Sequence, residues 1–279
     1  MHFKDAVALL EAAGVPDAAY ETALLFEELG GIPRHRLYAE NPDCNQPALS
    51  DALKRRSARE PLAYILGEVS FFRERYRVTP DVLIPRADTE VLVEEAIRRL
   101  PQGAHFADFC TGSGCIAISV LAARPDCTAI AYDISPSAIV IAKENAKRNG
   151  VHDRFQAICA DLLHDTVDTD GISAILSNPP YIAYDEKKLL SKELDYEPSQ
   201  ALFADENGLM FYRHFLENYA SKLPEKAFFL FEIGYTQSDA VRVLAAKSGM
   251  FCTFFKDLGG NTRVALCSSI TDTLLLKNQ

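Results

Sequence analysis

Residues 104–122 read AHFADFCTGSGCIAISVLA, and this stretch decides the class of fold. It begins as an apolar strand, turns between Asp108 and Gly114, and continues as a run of small and apolar residues typical of a buried helix. In open α/β sheets, a glycine-containing turn at the carboxyl end of a strand lets the backbone approach a nucleotide closely. The stretch therefore predicts an α/β domain with a nucleotide-like ligand at this turn.

The turn differs from a dinucleotide site, which typically carries the pattern GxGxxG. An Asp at the end of the strand would repel a pyrophosphate, but it suits a ligand with an amino group and a positive sulfonium. These features favour S-adenosylmethionine (SAM) as the cofactor, and a helix-start turn without a ligand is the alternative. The contacts predicted from this turn are Asp108, Cys110, Thr111, Gly112, Ser113 and Gly114.

Composition excludes several classes of protein. The chain has 279 residues, 48% of them hydrophobic and 24% charged, with a net charge of −10. The acidic balance argues against binding of duplex nucleic acid through its phosphates, and no window approaches the roughly 18 apolar residues of a membrane span. We expect a cytoplasmic monomer without a stable nucleic-acid partner or membrane contact. The 7 cysteines form no CxxC pair, so we expect reduced thiols and no metal site.

The pattern of residues divides the chain into two parts. Residues 1–75 carry helical periodicity, and an alternating aromatic stretch at 69–83 predicts a hairpin linker that ends near residue 85. Residues 86–279 alternate strands with helices, which is typical of a doubly wound sheet. The predicted strands are 105–109, 128–132, 154–159, 172–177, 227–233, 250–256 and 262–268, the last two as an antiparallel hairpin. The predicted helices are 88–99, 115–124, 136–148, 208–221 and 236–247.

Two further strands end in an acidic residue. Asp133, followed by Ile134, ends the second strand, where a carboxylate can accept hydrogen bonds from ribose hydroxyls. A helix cap ahead of Ser135 is the alternative for Asp133. Asp161 and Leu162 end the third strand and can supply an acceptor for an adenine amino group and an apolar face for its ring. Three successive strands that end in Asp favour a SAM site.

The fourth strand ends in SNPPYI, residues 177–182. Pro179 and Pro180 cannot donate to a sheet, so they end the strand and set a stiff corner. The Asn178 side-chain oxygen and the Pro179 carbonyl can accept the two N–H bonds of one planar NH₂ group, and the Tyr181 ring can pack against its face. We predict these four residues to be catalytic. Asn178, Pro179 and Tyr181 bind the substrate, and Asn178 also lies beside the cofactor methyl group. A simple strand-ending turn is the alternative.

The sequence resembles the protein-(glutamine-N5) methyltransferases that modify peptide chain release factors, the PrmC or HemK family. NPPY alone is shared with adenine-N6 DNA methyltransferases, whereas PRADTE together with YEPSQAL is more specific. The resemblance extends over PLAYILGEVSFF (61–72), VLIPRADTEVLVEEA (82–96), DFCTGSGCIAI (108–118), DISPSAIVIAKENAKRNG (133–150), SNPPYI (177–182), YEPSQALFADENGLMFYR (196–213) and FEIGYTQ (231–237).

The resemblance implies a Rossmann-like class I SAM-dependent methyltransferase domain with a seven-stranded mixed sheet and a small N-terminal helical domain that docks the release factor. It implies methylation of the glutamine in a Gly-Gly-Gln loop. It places Arg86 and Thr89 in a loop over the methionine end of the cofactor. Alternatively, or in addition, Asp88 and Thr89 cap the helix that follows, with Glu90 in its first turn. Glu197 would shape the substrate entrance, or would be a surface acid.

Two positions depart from the family pattern, and both bear on the site. The family usually has Gly where Cys110 stands, and a Gly-Gly pair where Ala204 and Asp205 stand. A Cys at position 110 is tolerated if φ is negative there. The effect of the second departure does not follow from the sequence.

The sequence analysis leads to one function and leaves others open. The leading hypothesis is an enzyme that methylates the side-chain amide of a release-factor glutamine in translation termination. The alternatives with the same chemistry are an adenine-N6 nucleic-acid methyltransferase and a methyltransferase for a ribosomal-protein glutamine. A binding module that docks translation factors through the basic stretch 54–86 is an alternative of another class, although a solvated helix face explains those charges as well.

Overall fold

A computed structural model describes residues 1–270 of the chain. The chain forms two compact units, Met1–Gly67 with Ser191–Tyr196, and Glu68–Leu190 with the chain from Glu197 onward. The division between the units thus falls after Gly67, whereas the sequence analysis placed it near residue 75. The aromatic hairpin therefore belongs to the larger unit. Residues 271–279 of the predicted second domain lie outside the described residues. None of the described helices is long and apolar enough to cross a membrane.

The smaller unit is a cluster of short helices around its own apolar core. Phe3, Leu10, Leu25, Phe26 and Leu53 are almost fully buried there, because apolar residues recur at helical spacing and face inward. The helices are α1 (Phe3–Ala12), α2 (Ala18–Glu28), α3 (Arg34–Glu40), α4 (Pro47–Ser57) and α5 (Leu62–Leu66).

A buried ion cluster joins the segment 191–196 to the helices of the smaller unit. Arg56 is only 3% exposed and pairs with both Glu21 and Glu193. Arg59 donates two hydrogen bonds of 2.7 Å to Glu193. Burial opposes ionisation of Glu193, but the hydrogen bonds from Arg59 and Arg56 outweigh it and lower its pKa to about 2. The carboxylate is therefore a structural anchor of this unit.

The larger unit is a mixed sheet with a hairpin before it. Strands β1 (Glu68–Phe71) and β2 (Glu74–Arg77) form the hairpin. The elements that follow are α6 (Glu90–Arg99), β3 (His105–Phe109), α7 (Cys115–Ala123), β4 (Thr128–Asp133), α8 (Pro136–Arg148), β5 (Phe155–Cys159), β6 (Ala174–Ser177), α9 (Asp205–Gly208), α10 (Met210–Tyr219), β7 (Phe228–Glu232), α11 (Ser238–Lys247), β8 (Phe251–Lys256) and β9 (Thr262–Ser268). Turns of 3₁₀ helix lie at Ala87–Thr89, His152–Arg154, Tyr184–Leu189, Lys192–Tyr196 and Ser199–Ala201.

Within residues 1–270, seven strands form the sheet in the order β5-β4-β3-β6-β7-β9-β8. Strands β3 to β7 are parallel, and β9 is antiparallel to both of its neighbours. The predicted mixed sheet and its antiparallel end are therefore confirmed. Strand order reverses between β3 and β6, which is where open α/β sheets bind ligands. The carboxyl ends of these strands bring Asp108, Asp133, Asn178 and Glu232 to one edge of the sheet.

The smaller unit gives the first prediction. We expect Glu193→Gln to lower the local unfolding free energy of α4 at pH 7 by about 1–3 kcal/mol, because it removes a hydrogen-bonded charge from two arginines. The folded pKa of Glu193 lies below its unfolded value near 4. The contribution of Glu193 to the free energy of unfolding is therefore complete above pH 4 and is lost as the pH falls toward 2.

Native-state hydrogen exchange of the α4 amides at pH 7 and pH 3 measures this effect. Glu27→Gln is the matched control, because its pair with Arg34 has side chains 43% and 38% exposed, and such pairs contribute about 0–1 kcal/mol. Equal protection of α4 in both variants at pH 7 would contradict the assigned role of Glu193.

Candidate active site

A cavity opens at the carboxyl ends of the parallel strands in the larger unit. Eleven of the residues predicted for the site line it: Thr89, Cys110, Thr111, Gly112, Ser113, Asp133, Ile134, Asp161, Leu162, Asn178 and Pro180. Six predicted residues do not line it: Arg86, Asp108, Gly114, Pro179, Tyr181 and Glu197. The sequence analysis missed several lining residues, among them Val82, Pro85, Pro198, Gln200 and Phe211.

Asp108 supports the loop behind the cavity. Its Oδ2 accepts hydrogen bonds from the Thr111 hydroxyl at 2.6 Å and from the Ala117 backbone N–H at 3.3 Å. Its Oδ1 is buried and has no hydrogen-bond partner among the described residues. Burial raises the pKa of Asp108 to about 7. The side chain thus holds the turn, and its direct contact with a cofactor stays a prediction.

The loop from 110 to 114 has a left-handed backbone at three positions. The φ angles of Cys110, Gly112 and Gly114 are 60°, 54° and 82°. The sequence analysis predicted that a cysteine would be tolerated at position 110 if φ were negative there. The φ of Cys110 is positive, so the family's glycine suits this backbone better. A Cβ on Gly114 would lie 2.7 Å from the Cδ1 atom of Ile118, so a side chain there would have to displace Ile118 as well as adopt a left-handed backbone.

Asp133 lines the cavity and also holds the loop from 110 to 114. Its Oδ2 accepts a hydrogen bond from the Gly112 N–H at 2.8 Å, and its Oδ1 accepts one from the Ser135 N–H at 2.9 Å. Ser135, not Asp133, is the N-cap of α8, because its hydroxyl accepts from the Ala138 N–H at 3.2 Å. Burial raises the pKa of Asp133. Each carboxylate oxygen has a second lone pair that can accept a ligand hydroxyl.

The Asp161 side chain is partly engaged in its own turn. Its Oδ1 accepts from the Leu163 N–H at 3.0 Å, and its Oδ2 lies 2.9 Å from His164 Nδ1. Leu162 is buried at the cavity wall. Carboxylates at 133 and 161, an apolar wall and a small-residue loop match the ribose, adenine and amino-acid parts of SAM, so the residues present fit this cofactor.

A chain of hydrogen bonds lies behind the NPPY corner. The Asn178 Nδ2 atom donates to the Thr89 hydroxyl at 3.4 Å, and that hydroxyl donates to Glu232 Oε2 at 2.5 Å. The Tyr181 hydroxyl donates to Glu232 Oε1 at 3.0 Å. Glu232 is 1% exposed. The sequence analysis did not assign it, although an acid at a parallel strand end is the signal that found Asp133.

The backbone after the corner is fixed by the segment 202–208. Ile182 N–H donates to the Leu202 carbonyl, and Ala204 N–H donates to the Ile182 carbonyl, both at 3.0 Å. The Gln237 side chain donates to the Tyr181 carbonyl at 2.9 Å. Ala204, which stands where the family usually has a glycine, is therefore one of the residues that fix this backbone.

Arg86 and Glu197 contact each other and do not line the cavity, although their neighbours Pro85 and Pro198 do. Glu197 is 6% exposed, so it is not a surface acid. It accepts a hydrogen bond from the Ile84 N–H at 3.0 Å and forms an ion pair with Arg86. The pair ties the loop before α6 to the segment after the NPPY corner. The predicted roles of Arg86 toward the cofactor and of Glu197 toward the substrate stay predictions.

Gly208 gives a test of the corner's geometry. Its φ is +79°, and a Cβ there would lie 2.0 Å from the Tyr181 carbonyl oxygen. We expect Gly208→Ala to lower the free energy of unfolding by clearly more than the roughly 1–2 kcal/mol of a left-handed alanine, because Tyr181 must also move. Gly171→Ala is the control, with φ +71° and no atom within 4 Å. Equal losses in urea unfolding would contradict the close approach.

Asp108 gives a prediction about pH. Its folded pKa of about 7 lies above the unfolded value near 4, so the folded state holds a proton that the unfolded state releases. Asp108 therefore makes the free energy of unfolding fall as the pH rises from about 4 to above 7. We expect Asp108→Asn to reduce this fall in urea titrations at pH 5 and pH 8. Parallel declines in both proteins would contradict the burial argument.

Comparisons with known proteins agree with this architecture. Residues 3–67 match the PrmC N-terminal domain, and residues 87–216 match the methyltransferase small domain. The catalytic domain of hMettl16 in complex with a 3′UTR hairpin has a similar fold, with a TM-score of 0.58 and 16% identity over 84% of this chain and 87% of that chain.

Two curated relatives cover almost the whole chain. The release factor glutamine methyltransferase of Salmonella typhimurium is 36% identical over 90% of this chain and 92% of its own length. The protein of the same name from Geobacter sulfurreducens is 36% identical over 91% of both chains. The chain belongs to the release factor glutamine methyltransferase family.

Proposed function

We propose that this protein transfers a methyl group from SAM to the side-chain amide nitrogen, N5, of the glutamine in the Gly-Gly-Gln loop of a peptide chain release factor. The names of the relatives support this substrate. The observation that carries the proposal is Asn178 at the cavity wall, with its NH₂ group bonded to Thr89. Its Oδ1 is then available to accept from a substrate amide.

The chain's own residues orient a weak nucleophile. The lone pair of an amide nitrogen is delocalised into its carbonyl, so catalysis depends on holding the NH₂ group and stabilising the charge it gains. Asn178 Oδ1 and the Pro179 carbonyl accept the two N–H bonds, and the Tyr181 ring packs against the amide plane. SAM, when bound, supplies a methyl group on a positive sulfur. The nitrogen loses a proton after transfer, so no ionised base is required beforehand.

The ion pairs of the stretch 54–86 weaken the alternative of a binding module with a basic docking surface. Most of its arginines are paired with acids: Arg55 with Glu60, Arg56 with Glu21, Arg59 with Glu193, Arg75 with Glu68, Arg77 with Glu144, and Arg86 with Glu197. We propose instead that the helical unit docks the release factor as part of an active enzyme. The enzyme then acts as a cytoplasmic monomer without stable nucleic-acid binding.

Mass spectrometry tests this function directly. Purified release factor, DNA and rRNA are each incubated with the protein and isotopically labelled SAM. The expected result is a gain of one methyl group at the glutamine of the Gly-Gly-Gln loop. Label in adenine alone would replace the proposal with a nucleic-acid methyltransferase, and label in a ribosomal protein alone would replace the substrate.

Two variants separate the substrate acceptor from the cofactor contact. We expect Asn178→Ala to slow methyl transfer while SAM affinity, measured by calorimetry, stays nearly unchanged, because it removes an acceptor for the substrate. We expect Asp133→Ala to weaken SAM binding by about 1.5–3 kcal/mol, the range for hydrogen bonds to a charged group. Unchanged affinity in Asp133→Ala, or an affinity loss in Asn178→Ala equal to its loss of rate, would contradict these roles.

A further inference from the structure

Glu232 is a buried acid at the site to which neither the motifs nor the resemblance assigns a role. It is the last residue of β7, beside β6, and its side chain is 1% exposed. Its two carboxylate oxygens accept from two different hydroxyls, those of Thr89 and Tyr181. A buried carboxylate is costly unless such donors hold it, and here both donors lead to the NPPY corner.

The direction of the Thr89 hydrogen bond decides how Asn178 is oriented. A threonine hydroxyl has one proton, and Thr89 donates that proton to Glu232 Oε2 at 2.5 Å. Toward Asn178 the Thr89 oxygen can then only accept, so the Asn178 atom that faces it must be the NH₂ group, at 3.4 Å. The other atom of the amide, Oδ1, is directed away from Thr89.

Orientation of this amide decides whether the site can hold a substrate NH₂ group. Asn178 Oδ1 is an acceptor and can bind an N–H, whereas Asn178 Nδ2 is a donor and would oppose one. The two orientations of an isolated Asn side chain differ little in shape, so packing alone does not choose between them. The Thr89 hydroxyl oxygen, which can only accept from Asn178, does select one of the two orientations.

Two hydroxyls and one arginine support Glu232 as an acceptor. Burial, the largest cause, and the charge of Asp88 raise the pKa of Glu232, while the hydrogen bonds from Thr89 and Tyr181 and the positive charge of Arg263 act in the opposite direction. Arg263 is itself held by Asp88 at 3.0 Å and by Asp257 at 3.3 Å. An arginine in this position stabilises a carboxylate that has few other ways to be solvated.

We propose that Glu232 is a positioning residue: through the Thr89 hydroxyl it holds the Asn178 amide with Oδ1 toward the substrate, and through the Tyr181 hydroxyl it holds the ring beside it. This inference rests on the proposed function, because it specifies how that site orients its acceptor. Thr89 is then part of the same device, and its hydroxyl serves Asn178 more than the cofactor.

The test uses the full-length protein with SAM and release factor. Thr89→Val removes the hydroxyl with almost no change of shape, and Thr89→Ser keeps it. We expect Thr89→Val and Glu232→Gln to lower kcat by about tenfold to a hundredfold, the usual scale for a misplaced catalytic group. The Kd for SAM and the KM for the release factor should change by less than about threefold, a free-energy change within roughly 0.7 kcal/mol. Thr89→Ser should keep kcat near the wild-type value.

Two further variants distinguish positioning from loss of stability. The double variant Thr89→Val/Glu232→Gln should lose no more kcat than Glu232→Gln alone, because Glu232 acts on Asn178 through Thr89 and residues of one chain of hydrogen bonds are not additive. Tyr212→Phe is the matched control, since its buried hydroxyl donates to the Glu232 backbone carbonyl at 2.8 Å and not to the carboxylate. It should keep kcat even where its unfolding temperature falls.

Several outcomes would overturn the inference. These are a normal kcat in Thr89→Val, a loss of SAM affinity equal to its loss of rate, or a Thr89→Ser variant as slow as Thr89→Val. If Glu232→Gln fails to fold, the two Thr89 variants still decide the question. A wild-type protein that methylates no release factor would reject the proposed function, whereas an active wild type with an unaffected Thr89→Val would reject this inference alone.

Discussion

The buried carboxylate of Glu232 is the contact on which the arrangement of the site depends. It joins the start of α6, through Thr89, to the exit of β6, through Tyr181. These segments are far apart in sequence, and the Glu232 side chain is the place where their hydroxyls meet. Removing an acceptor from such a buried network leaves donors unpaired, which costs more than the hydrogen bonds contribute. The corner that carries Asn178 is therefore fixed by hydrogen bonds to the Glu232 carboxylate and by the restricted backbone of Pro179 and Pro180.

The parallel sheet supplies the second constraint. Strands β3, β4, β6 and β7 end at one edge, and each ends with a polar side chain at or next to its last residue. Asp133 links its strand to the loop after β3 through the Gly112 N–H, and Asp108 holds the same loop from inside. The strand ends thus fix a loop whose backbone is left-handed at three positions. The loop proposed to hold the cofactor and the corner proposed to hold the substrate therefore lie at the same edge of the sheet.

Much of this could be predicted from the sequence because the signals are local. The alternation of strands and helices, the apolar strands and the Asp residues at their ends all follow from periodicity and position. The strand and helix bounds predicted from residue 88 onward agree with the structure to within about two residues, whereas the hairpin predicted over 69–83 ends at Arg77. The placement of Ser191–Tyr196 with the helical unit could not be predicted, because it depends on pairing of Glu193 with arginines distant in sequence.

The interpretation of individual side chains was less accurate for the same reason. Glu197 could have been a surface acid, yet it is buried against Arg86 and the Ile84 N–H. A Cys at position 110 would be tolerated if its φ were negative, yet its φ is +60°. No sequence motif around Glu232 predicts that it binds Thr89 and Tyr181. For Glu197 and Glu232 the deciding contacts lie across the fold, and a single sequence does not contain them.

The central claim is that Asn178 Oδ1 and the Pro179 carbonyl hold the substrate amide by its NH₂ group. A crystal structure of the protein with S-adenosylhomocysteine and a release-factor domain tests it most directly. The account predicts the glutamine nitrogen within hydrogen-bond distance of both acceptors, with the Asn178 NH₂ group still on Thr89. A glutamine whose carbonyl oxygen faces Asn178, with its nitrogen held elsewhere, would contradict the account.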